Sequence, residues 1–98
     1  MINANNITYQ AAAAANVVVT TKPAILERII IGADVGSGVI EISDSIDDGD
    51  GNVLVYLAGS TLLTQTGGVV EVGAVFPTGI TADLTNQTQV TFIWKETI

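Results

Sequence analysis

The chain has 98 residues, a formal net charge of −7, and neither cysteine nor histidine. That length gives one domain with a single modest core. Its three cations, Lys22, Arg28 and Lys95, form no basic cluster, so neither nucleic acid nor a membrane is expected as a partner. Without cysteine there is no disulfide or thiolate chemistry, and without histidine the commonest general base and zinc ligand are missing.

Charged residues make up 13% of the chain, against about 25% in an average soluble domain, and the mean hydropathy is +0.51. Such surplus apolar surface goes into an interface or into a tightly packed sandwich with an uncharged, Thr- and Asn-rich exterior. Composition leaves both open.

The first 21 residues carry no charged side chain. They lack the basic start and Leu-rich centre of a secretory leader, so none is expected. Residues 1–6 are polar, and residues 7–10 could pair as a weak edge strand. The alanine run at residues 11–15 favours helix but is too short to nucleate one. It reads as a spacer in a free chain, or as an arm that orders against a neighbouring subunit. Residues 1–15 are therefore assigned to a flexible N-terminal arm, and residues 16–98 to a single β-sandwich domain.

Residues 16–21 are β-prone, and Lys22-Pro23 interrupts the ladder because proline has no N–H to donate. Residues 24–32 form a strand in which Ile29, Ile30 and Ile31 place large apolar groups on both faces. Such a strand is covered on both sides or meets a partner. Simple alternation sets Leu26, Arg28 and Ile30 on one face. Residues 34–38, with Gly36-Ser37-Gly38, read as a turn. Residues 39–43 read as a short strand, with Ile40 and Ile42 inward and Glu41 outward. Residues 44–52 are the most polar stretch. Residues 52–58 alternate Val53, Val55 and Leu57 with Leu54 and Tyr56. Residues 59–68 read as a Thr- and Gly-rich loop with Leu62-Leu63 tucked beneath. The uncharged run from 51 to 70 is broken by Asn52, Gly59, Ser60, Thr61, Thr64, Gln65 and Thr66, so it is not a continuous apolar span.

Three apolar stretches close the chain at residues 69–76, 80–84 and 89–95. Pro77-Thr78-Gly79 and Thr85-Asn86-Gln87 separate them as turns. Val70, Val72, Ala74 and Phe76 share one face, as do Val90, Phe92 and Trp94, with the period of two expected of half-buried strands. Phe76, Phe92 and Trp94 are three of five aromatic residues and are assigned to the core. The fold class is all-β: an antiparallel β-sandwich, jelly-roll-like, with seven or eight short strands.

Few constellations suggest chemistry. Asp44, Asp47, Asp48 and Asp50 could offer oxygen ligands to calcium. An EF-hand loop starting at Asp48 would, however, meet Val53 where it needs Gly and Gly59 where it needs Glu. The plainer reading is a hairpin loop built on two Asp-Gly pairs. Glu41 and Glu71 could pair as glycosidase carboxylates only if they face one another. A Ser–Lys pair using Lys22 or Lys95 is formally open. The expectation is a chain that is not an enzyme, with no catalytic, cofactor-binding or metal-binding residues and no cofactor.

Residues 17–95 resemble small β-sandwich proteins of tailed-phage virions, of the capsid decoration (cement) type. The likeness lies in the strand Pro23-Ala24-Ile25-Leu26-Glu27-Arg28-Ile29-Ile30-Ile31 and the unit Val39-Ile40-Glu41-Ile42-Ser43-Asp44. It continues in Phe76-Pro77-Thr78-Gly79-Ile80-Thr81-Ala82-Asp83-Leu84 and in Val90-Thr91-Phe92-Ile93-Trp94-Lys95. The resemblance implies a structural protein of the capsid surface, assembled in the host cytoplasm. Its partner would be the major capsid protein or another virion protein. The low charged fraction, the three adjacent isoleucines and the charge-free N-terminal segment lead separately to the expectation of a homo-oligomer, dimer or trimer. A neck or head-fibre component shares the pattern. The other reading of the same sandwich is a carbohydrate-binding or adhesion module, for which only Tyr9 and Tyr56 remain as stacking aromatics. A third reading is a metal-dependent binding domain using the aspartate loop.

Overall fold

A computed structural model of the chain describes residues 6–10, 14–46, 52–58 and 68–97. The described residues form six strands: β1 (Asn6–Gln10), β2 (Ala14–Thr20), β3 (Ala24–Asp44), β4 (Asn52–Ala58), β5 (Val69–Phe76) and β6 (Ile80–Glu96). All pairings are antiparallel. In one sheet, β1 lies on the C-terminal half of β6, which lies on the N-terminal half of β3, with β5 at the far edge. In the other, β2 lies on the N-terminal half of β6, which lies on the C-terminal half of β3, with β4 at the edge.

β3 and β6 thus pass through both sheets. Counting each half separately gives eight strands in two packed four-stranded sheets. In chain order, strands 1 and 8, 2 and 7, 3 and 6, and 4 and 5 are partners. That nested pairing is the double-sheet jelly-roll arrangement, and the fold class read from the sequence holds.

The corner between the sheets lies where the sequence suggests two turns, residues 34–38 and 85–87. Neither is a turn. Asp34 faces Gln87 and Val39 faces Thr85, so β3 advances five residues while β6 advances two. The excess bends the pair without ending it, which is what a bulge does at the edge of a sandwich. Just beyond, Gln89 of β6 takes a left-handed φ of 57°.

A second irregularity corrects the face assignment of β3. Leu26 faces Trp94, but Arg28 faces Ile93, so Glu27 is an extra residue in β3 relative to β6. The phase resets there. Leu26 and Ile29 are fully buried, while Arg28 and Ile30 point outward. The three isoleucines are not all covered: Ile29 and Ile31 are core and Ile30 is 36% exposed.

The N-terminal assignment also changes. Asn6–Gln10, included in the arm, is an edge strand of the sandwich, as the edge-strand reading of residues 7–10 allows, with Ile7 facing Ile93 and Tyr9 facing Thr91. Period-2 placement sets Thr8 toward the interior, and this suffices to dock a short, polar-looking segment. The end of the alanine run is strand as well, since Ala14 faces Leu84. A bulge follows, at Asn16 with φ 58°, and its N–H donates to the Asp83 carboxylate at 2.7 Å.

The core gathers inward residues of both sheets, among them Leu26, Ile29, Ile40, Ile42, Phe76, Ile80, Val90 and Phe92. Glu41 lies between Ile40 and Ile42 on the outer side, as the alternation requires. Trp94 packs against this cluster without being fully buried. Val53 is the exception on β4. A register shift between Ile42 and Ser43 leaves it exposed, while Val55 and Leu57 face the core.

At the end of the sandwich where β5 turns into β6, the Asp44 carboxylate accepts hydrogen bonds from the backbone N–H groups of Thr78 and Gly79, at 2.8 and 3.3 Å. Beside it the buried Thr81 hydroxyl donates to the Ser45 carbonyl and accepts from the Ser45 hydroxyl, both at 2.9 Å.

Candidate functional site

The two outer faces of the sandwich differ in chemistry. On the first sheet, strand register aligns outward residues in rows. Tyr9, Thr91, Ile30 and Val69 form one row, and Ile7, Ile93, Arg28 and Glu71 the next. Lys95, Ile25 and Val75 form the third. Ile7 is 70% exposed, Tyr9 56% and Val75 57%. Aliphatic and aromatic side chains therefore span all four strands without a covering layer among the described residues. Contiguous apolar surface of this kind marks a site of association.

The charges on that face are paired. Arg28 Nε lies 3.5 Å from Glu71 Oε2, and Lys95 Nζ lies 3.3 Å from Glu27 Oε1. The first pair is exposed and the second half-buried; an exposed pair of this kind contributes about 0–1 kcal/mol to stability. The larger effect of the two pairs is on the character of the face, which has a net charge of zero. Lys22, the remaining cation, pairs with Glu96 at 3.4 Å.

The outer face of the second sheet is acidic at its centre. Glu41 of β3 sits directly across from Asp83 of β6, and like charges in that position oppose one another. Tyr56, 63% exposed, flanks Glu41 on β4, with Leu54 beside it and Val18 exposed on β2.

The sequence-level candidates for chemistry are not brought together. Glu41 and Glu71 lie on opposite outer faces of the sandwich, one in each sheet. Lys22 and Lys95 are held by glutamates. Of the aspartate cluster, Asp44 is occupied in bonding the β5–β6 turn, and Asp47, Asp48 and Asp50 lie outside the described residues, as do Leu62 and Leu63. Among the described residues no group of three or more acidic side chains is arranged to hold a metal ion. The two exposed tyrosines also lie on opposite faces, Tyr9 on the first sheet and Tyr56 on the second, so they do not form a shared stacking platform.

The class defined by fold and surface is a small antiparallel jelly roll with an apolar, neutral outer face and an acidic one. No family model matches the chain, and no curated protein or solved structure is significantly similar to it. The first sheet's face was only partly legible in the sequence. Ile30 stood out there, but Ile7, Tyr9, Val69 and Val75 join it only once the sheet order is known.

Proposed function

We propose that this chain is a structural, non-enzymatic protein of a tailed-phage virion, a capsid decoration (cement) protein that docks on the lattice of major capsid protein. The observation that carries the reading is apolar exposure on both outer faces of one small sandwich: Ile7, Tyr9, Val69 and Val75 on one, Val18, Leu54 and Tyr56 on the other. A domain of this size gains little from leaving such groups in water, at roughly 25 cal/mol per Å² of apolar area. A particle surface offers large areas against which to bury them. The jelly roll suits that role because its strands are joined into two stiff sheets that present side chains at fixed spacing. On this reading the chain resides on the capsid surface after assembly in the host cytoplasm.

The test is binding to phage heads assembled without this chain, read by co-sedimentation and cryo-electron microscopy. The expected result is saturable binding with density at regular lattice positions, and heads that survive more heat once coated. Heads that take up none of the chain, together with native particles that contain none, would overturn the proposal.

A further inference from the structure

We infer that the outer face of the first sheet is the contact between two copies of this chain, packed face to face about a two-fold axis. Charge decides the occupant. Arg28 and Lys95 are offset on this face by Glu71 and Glu27, so among the described residues the face adds nothing to the chain's net charge of −7. Two copies of so acidic a chain repel one another at most approaches. The second sheet, with Glu41 beside Asp83, is a poor surface for a second copy. The neutral face is where like meets like without repulsion, and its mixture of apolar side chains and internally paired charges allows the same patch to meet itself, as an isologous contact requires.

Size sets the strength. Four strands about 4.8 Å apart and about seven residues long at 3.3 Å each give a face of roughly 400 Å² in projection, or on the order of 1,000 Å² for two corrugated faces together. That is the low end for a specific interface. The dimer therefore forms and dissociates with concentration, and it closes at two copies. The inference does not require the capsid reading. Head binding by a monomeric chain would sink this inference alone, and a dimer that ignores heads would sink only the other.

Sedimentation velocity on the full chain over a concentration series tests it. The expected result is a reversible monomer–dimer equilibrium approaching twice the 10.1 kDa chain mass. Ile30→Glu and Val75→Glu should each raise the dimer Kd at least about tenfold, because they bury an unpaired charge. Tyr56→Glu, on the other sheet, should leave Kd unchanged. Arg28→Glu should also weaken the dimer, and adding Glu71→Arg to it should restore association by returning the face to neutrality. Circular dichroism and melting confirm that each variant is folded; at 57% exposure against 36% for Ile30, Val75 is the milder of the two apolar substitutions on this face. A wild-type chain that stays monomeric, a trimer, or a dimer indifferent to both Ile30→Glu and Val75→Glu would overturn the inference.

Discussion

Trp94 donates its indole N–H to the hydroxyl of Thr8 at 3.0 Å. This bond joins β6 to β1 across 86 residues of chain and satisfies the one polar atom of a side chain that otherwise packs on the core. A half-buried tryptophan needs such a partner. Trp94→Ala is expected to cost about 3 kcal/mol, from lost packing and the cavity left behind. Thr8→Val keeps the shape and removes the acceptor, and should cost about 1 kcal/mol. For a domain of this size that smaller loss is a fall of about 4–8 °C in Tm, measurable by thermal denaturation.

Asp44 acts on the turn between β5 and β6. Its carboxylate accepts from two backbone N–H groups, and a charged acceptor makes each bond worth more than a neutral one. Asp44→Ala should destabilise by about 2 kcal/mol, and Asp44→Asn, which keeps one acceptor oxygen, by about half of that. Calcium should leave the melting temperature of the wild-type chain unchanged beyond its effect on ionic strength. A saturable rise at micromolar calcium would show that the aspartate stretch binds the ion instead.

The legible and illegible parts of this fold divide along a physical line. Period-2 alternation depends on near neighbours, and it located Val69–Phe76 and Asn52–Ala58 to the residue. It also set Ile40, Ile42, Phe92 and Phe76 inside. Bulges obey no local rule. The one at Glu27 turned Arg28 and Ile30 away from Leu26, and no composition marks it. The corner at residues 34–38 carries every mark of a turn, yet pairing with β6 resumes on its far side at Val39. β1 was legible only as a weak edge strand within an arm, because its docking depends on β6, about 80 residues or more away. The outer faces are still further from the sequence, since they arise only when four distant strands are set side by side.

Two glycines should respond differently to the same substitution. A Cβ on Gly79 would stand 2.7 Å from the Ser45 carbonyl oxygen and 2.8 Å from that of Thr20. Both are backbone atoms in a packed corner and cannot yield, so Gly79→Ala should cost about 3 kcal/mol through overpacking. Gly73 has open space where its Cβ would be, but its φ is +65°. Gly73→Ala then carries only the left-handed penalty, about 1–2 kcal/mol. Equal losses for the two would contradict this account.

Removing residues 1–10 tests whether β1 belongs to the sandwich. As a detachable arm, that segment could be lost with no change in melting temperature. As a strand, it covers the edge of β6 from Val90 to Trp94 and supplies the Thr8 hydroxyl to Trp94. No β1 side chain is fully buried, so the loss should be a few kcal/mol at most, and the remaining core should still fold cooperatively. The truncated chain is expected to melt about 10 °C below the full one. It should also aggregate more readily, because β6 then becomes an edge whose free N–H and C=O groups invite another strand. Thermal denaturation gives the first effect, and light scattering on the folded protein the second. An unchanged melting temperature would return residues 6–10 to the status of an arm.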